Sequence, residues 1–136
     1  MENLLFIIPI WIHVLSMAGS FGATILCAVL CHATPAGVEN QNNSIWSIPQ
    51  MLLGATLLTG LALVYLRFTA AMNVGSPLSG HFWGIVGCKV VLLLGTGAFG
   101  GVASNKAKTG NNMAAFRLWV AAAISLSLAA FIGLSL

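Results

Sequence analysis

Three nitrogen-bearing side chains, His13, Arg67 and Lys89, stand inside stretches of sequence that are otherwise apolar. An ionisable group in hydrocarbon costs about 2.5–3.5 kcal/mol on insertion scales for Lys or Arg, so such groups face a bundle interior and mark functional sites. A neutral imidazole can ligate a metal through one ring nitrogen, while an ammonium or guanidinium answers an anion. Met17 follows His13 by one helical turn on the same helix face. Histidine with a thioether is a haem pair and also a soft copper(I) pair, and a methionine there also serves to fill a packing gap. Cys27, Cys31 and His32 form a second cluster whose i, i+4 thiols beside an imidazole could take a soft metal. Buried cysteines more commonly just pack, and Cys88 is read that way too. The bland readings of the other groups stay open: His13 hydrogen-bonded to a serine or a backbone group, and Arg67 extended to headgroups at the membrane boundary.

The elements that must position these groups follow from composition. Of 136 residues 59% are hydrophobic and 5% charged, with a mean hydropathy of +0.99, whereas soluble domains carry about 25% charged residues. A water-soluble globule is excluded. A spanning helix needs about 20 mostly apolar residues, and four such stretches can be marked off, 4–30, 49–68, 82–102 and 114–136. The expectation is an all-α integral membrane four-helix bundle, a single domain over 1–136. The Asn, Gln, Ser, Pro and Gly clusters fall between the spans: Pro35-Ala36-Gly37 followed by 39–44, then Asn73 to Pro77, then Gly110-Asn111-Asn112. Ser47 and Pro49 suit the opening of the second span. The start, Met1-Glu2-Asn3, lacks the basic stretch of a cleavable signal, so the first span is expected to stay. A net charge of +3 on so few residues speaks to topology, not to nucleic acid, which needs clustered Lys/Arg on a polar surface.

Short loops make consecutive spans antiparallel, in up-down order. Lys106, Lys108 and Arg117 then share one side of the membrane, against Arg67 alone on the other. Short basic loops stay cytoplasmic, so the termini are expected outside, in a bacterial inner (plasma) membrane. His13 lies about 13 Å and Lys89 about 12 Å into parallel helices at a rise of about 1.5 Å per residue. They sit at one level, and Arg67 closes the same half of the membrane. The chain's two acidic residues, Glu2 and Glu39, lie outside the spans, so nothing acidic within them answers these cations. Something anionic or metallic is missing from the sequence. His13 and His32, about 28 Å apart along a helix, cannot share a metal, and His81 sits at the membrane boundary. A haem on His13 would take Met17, Lys89, water or nothing as its sixth ligand.

Small residues recur along the spans, among them Gly97-xxx-Gly101 in the third, a pattern that lets membrane helices approach closely. It serves contacts within one chain as well as in a homo-oligomer or a larger membrane complex.

Five short stretches resemble the copper-resistance D (CopD) domain: Ile12-His13-Val14-Leu15 through Gly22, Thr59-Gly60-Leu61-Ala62-Leu63, Ser76-Pro77-Leu78, Gly84-Ile85-Val86-Gly87-Cys88-Lys89, and Ala103-Ser104-Asn105-Lys106. The layout of one His in the first span and one Lys in the third is also similar to the HemJ-type protoporphyrinogen oxidases, small four-helix haem b proteins. That resemblance implies that His13 is a haem ligand and Lys89 the catalytic partner needed for activity. The chain departs from the oxidases at Thr24-Ile25-Leu26-Cys27, where they carry a Tyr-Leu-Pro-Arg-type stretch. Three functions follow as expectations. The first is a haem b redox or electron-transfer protein using His13, with Lys89 and Arg67 neutralising the propionates or tuning the iron. The second is a copper-handling protein with copper(I) on His13 and Met17, and the third a structural subunit of a membrane complex.

Overall fold

The computed structural model describes residues 2–35, 37–38 and 43–133. It holds four helices and, among the described residues, no strand: α1 (Glu2–Ala33), α2 (Asn43–Asn73), α3 (Gly80–Lys108) and α4 (Asn112–Gly133). Each contains a segment long and apolar enough to cross a bilayer, of 27, 30, 29 and 22 residues in chain order. The chain is an all-α, antiparallel up-down four-helix bundle of an integral membrane protein. Most helices run past the apolar windows, since a helix satisfies its own backbone hydrogen bonds in lipid and in the interface alike. Asn43 and Ser44, expected in the first loop, open α2, while Lys106 and Lys108 lie in the last turn of α3. There a cation meets the negative end of the helix dipole. The loop residues 39–42 and the last residues of the fourth span, 134–136, fall outside the described residues.

Helix ends are set by local chemistry. Gly75 and Gly110 adopt φ of 69° and 74°, the left-handed conformation that glycine enters at low cost. Each closes its helix with the paired bonds of a Schellman motif: Gly75 N–H to Met72 and Ser76 N–H to Ala71, then Gly110 N–H to Ala107 and Asn111 N–H to Lys106. Ser79 caps α3 by accepting from the Phe82 N–H at 3.2 Å. Pro49 lies inside α2, past its opening. Its missing N–H frees the carbonyl four residues back, and the Cys27 thiol points at that oxygen, on Ile45, from 3.9 Å.

The bundle is two helical hairpins laid face to face. α3 packs most extensively on α4 and α1 on α2, α1 also lies along α4, and of these neighbouring pairs α2 and α3 touch least. The first and third loops meet on one side: Gly37 N–H donates to the Gly110 carbonyl at 3.1 Å, and the Asn112 amide donates to Pro35 and Val38 at 2.8 and 3.1 Å. A side chain at Gly110 would strike the Gly37 backbone. Below this knot lies a tight core of Cys27, Cys31, Trp46, Ala103, Ala107, Ala115, Trp119 and Ala122, with the two indoles stacked at 6.3 Å. Farther toward the termini, Leu53, Leu93, Leu126 and Ala129 form a second cluster, and Met17 packs against it. Gly97 belongs to the contact between α2 and α3, since a Cβ there would lie 3.3 Å from Leu53, whereas Gly101 faces open space. The Gly97-xxx-Gly101 pair is thus split between an internal contact and the bundle exterior.

Candidate functional site

Toward the termini the hairpins part, and His13 and Lys89 stand on opposite walls of the gap. Both line a cavity of about 270 Å³ opening between α2 and α3, together with Arg67, Phe82, Val86 and otherwise mostly apolar side chains. Both also line a second, more open space of about 660 Å³ bounded by α1 and α4, with Met17, Phe21 and Phe131. The level reached by counting residues therefore corresponds to a shared site, and Arg67 joins it on the α2–α3 side.

His13 is held by α2. Its Nδ1 lies 3.0 Å from the Thr56 carbonyl oxygen and 3.1 Å from the Thr59 hydroxyl. A carbonyl only accepts, so Nδ1 carries the proton and donates, and in the neutral ring the lone pair is then on Nε2. The Thr59 hydroxyl hydrogen is spent on Ala55 at 2.7 Å, which leaves its oxygen free to accept as well. A backbone carbonyl on one ring nitrogen is the support that orients metal-ligating histidines through the other. Gly60 makes room for the ring: a Cβ there would stand 3.1 Å from His13 Cε1.

Lys89 crosses the gap. Its Nζ would be 2.6 Å from a Cβ at Gly133, so the ammonium reaches the C-terminal end of α4, where helix carbonyls favour a cation. Arg67 stands at the mouth of the cleft with its guanidinium 5.5 Å above the Phe82 ring, a cation–π contact.

The second sulfur cluster does not converge. Cys27 and Cys31 are buried free thiols in the tight core, while His32 is exposed with its ring against Phe116 at 5.0 Å. Among the described residues no three His, Cys, Asp or Glu side chains gather as a metal-binding group. Sequence reading also passed over several supports. Thr56 and Gly133 carry no chemistry by residue type, and Thr59 and Gly60 stood out only as part of the CopD-like stretch, with no role toward His13. Gln50 did leave a signal, an amide within an apolar span. It donates to the Gly97 carbonyl at 3.4 Å and pins α2 to α3 on the loop side of the cleft. Comparison with family models, curated proteins and solved structures returns no match for the chain.

Proposed function

We propose that the protein binds haem b within the membrane, where His13 Nε2 would ligate the iron and Lys89 and Arg67 would answer the propionates. The observation that carries this reading is the Nδ1 bond of His13 to the Thr56 carbonyl, which presents the other nitrogen to a metal in a mostly apolar gap. The residues fit such a group: one oriented imidazole, the Lys89 side chain across the gap from it, and apolar walls on both hairpins for the macrocycle. Bound haem supplies a one-electron iron centre inside the bilayer, which makes the protein a redox or electron-transfer component. Lys89 then serves as the charged partner of the reaction, in keeping with the HemJ-like and CopD-like sequence features. The setting is a bacterial inner membrane with the termini outside, on the charge bias of the loops.

A second reading places copper(I) on His13 and Met17, favoured by their shared place on the wall of the larger space. Visible absorption of the detergent-purified protein separates the two. Haem gives a Soret band and an α-band sharpened by dithionite; His13→Ala removes or shifts both, while His32→Ala, about 28 Å away along α1, leaves them. A colourless preparation ends the haem reading, and elemental analysis for copper then decides the second.

A further inference from the structure

A neutral imidazole offers a metal its lone pair only from the ring nitrogen that does not carry the proton. Two oxygens of α2 decide which nitrogen that is in His13, and they differ in kind. The Thr56 carbonyl, 3.0 Å from Nδ1, belongs to the backbone and stays whatever side chain stands at that position. The second oxygen, the Thr59 hydroxyl at 3.1 Å, depends on the residue type. A hydroxyl can donate as well as accept, and a donating one would favour the tautomer with its proton on Nε2 and no lone pair for the gap. That alternative is closed within α2. The Thr59 hydrogen has carbonyl oxygens of its own helix to meet, Ala55 at 2.7 Å and Thr56 at 3.2 Å, so toward the ring its oxygen accepts. One acceptor would let the ring swing about a single bond, whereas two acceptors on one N–H restrict its plane. Gly60 supplies the remaining condition, room for the ring against the helix, since a Cβ there would stand 3.1 Å from Cε1.

We propose that Thr59 is a positioning residue for His13: its hydroxyl, turned to accept by Ala55, selects the Nδ1–H tautomer and holds the ring so that Nε2 faces the gap between the hairpins. Thr59 touches no ligand in this role and acts through the imidazole. The proposal rests on the haem reading for the identity of the metal, whereas the state of the ring is read with no metal bound. Thr56 provides the contrast, since its hydroxyl donates to Leu52 at 2.9 Å and its backbone oxygen is what meets His13. Exchange of threonine for valine therefore removes a contact to the ring at Thr59 and keeps the contact at Thr56.

The test is nitrogen NMR of the haem-free protein in lipid, in a His32→Gln, His81→Gln background that leaves His13 as the one histidine. Protonated and bare ring nitrogens resonate far apart, so the tautomer is read directly. With Thr59 in place the ring should be Nδ1–H alone. Thr59→Val should give a mixture of tautomers, as should Thr59→Ala, a second and smaller removal of the hydroxyl. Thr59→Ser should restore the single form and Thr56→Val should keep it, with circular dichroism reporting that each bundle is folded. A single Nδ1–H form in folded Thr59→Val or Thr59→Ala, or an equal mixture in Thr56→Val, overturns the proposal. Haem titration adds a second readout. Loss of the partner behind a metal-ligating histidine costs about 10- to 100-fold in metal affinity, so Thr59→Val should weaken haem binding by that factor and Thr59→Ser should recover it. Haem held by Thr59→Val as tightly as by wild type overturns the proposal and leaves the haem reading standing. A tautomer that follows Thr59 in a protein that takes up no haem supports the proposal and ends the haem reading.

Discussion

The two ends of the bundle are built on different principles. On the loop side, alanines, cysteines and two stacked tryptophans close the hairpins on each other, and Asn112 ties the first loop to the third. On the side of the termini the same four helices part around His13, Lys89 and Arg67. Helix association in lipid lacks a hydrophobic drive and depends on close packing and interhelical hydrogen bonds. The tight end supplies these, with Ala103, Ala107, Ala115 and Ala122 entirely buried. The open end can then carry an arrangement that association alone would not favour. Stability and chemistry are thereby assigned to opposite halves of one short fold.

Substitutions can break or sharpen that division. The largest effect belongs to Trp119→Ala, which removes a side chain 1% exposed and stacked on Trp46. A loss of about 3–5 kcal/mol is expected from large-to-small replacement in a core, read by denaturant titration in detergent micelles. A loss under about 1 kcal/mol, within the range of ordinary surface changes, would mean that the loop-side core does not hold the bundle. Lys89→Met should act in the opposite direction, since a charge within a span costs about 2.5–3.5 kcal/mol on insertion scales. Insertion and yield are expected to hold or improve while function is lost, measured in the same cells. A fully working Met variant would remove Lys89 from the site. The smallest change in stability is expected at Gly60→Ala, where the better helix propensity of Ala, about 0.5–1 kcal/mol, offsets the cost of displacing the His13 ring. The proton resonances of that imidazole should shift all the same. Unchanged resonances would show that the 3.1 Å approach of a Cβ to the ring is absorbed elsewhere.

The parts legible in the sequence are those fixed by hydropathy and by residue counting. Four apolar windows, short loops and one helical rise were enough to set the antiparallel order and to put His13 and Lys89 at one level. Side-chain direction was not legible. A helix with apolar residues on every face gives no periodic signal for which side turns inward, so Gly97 and Gly101 read as one motif although they face different surroundings. The cluster of Cys27, Cys31 and His32 looked compact in sequence for the same reason. In the fold the two thiols turn into the core and the imidazole turns out toward Phe116. The supports of His13 come from α2, more than 40 positions away in the chain, where a threonine hydroxyl or a glycine is unremarkable by type.

The connection between α2 and α3 crosses the open end of the molecule. Only Val74 to Ser79 separate the last residue of α2 from the first of α3, and a stretched chain advances about 3.3–3.6 Å per residue. The two helix ends can therefore move no more than about 23–25 Å apart, with both the Schellman turn at Gly75 and the Ser79 cap undone. A third helix wedged between them, at a diameter of about 10–12 Å, would use nearly all of that reach. The linker thus acts as a ruler across the cleft, admitting a slender molecule with the caps intact and making entry costly for a partner's transmembrane helix.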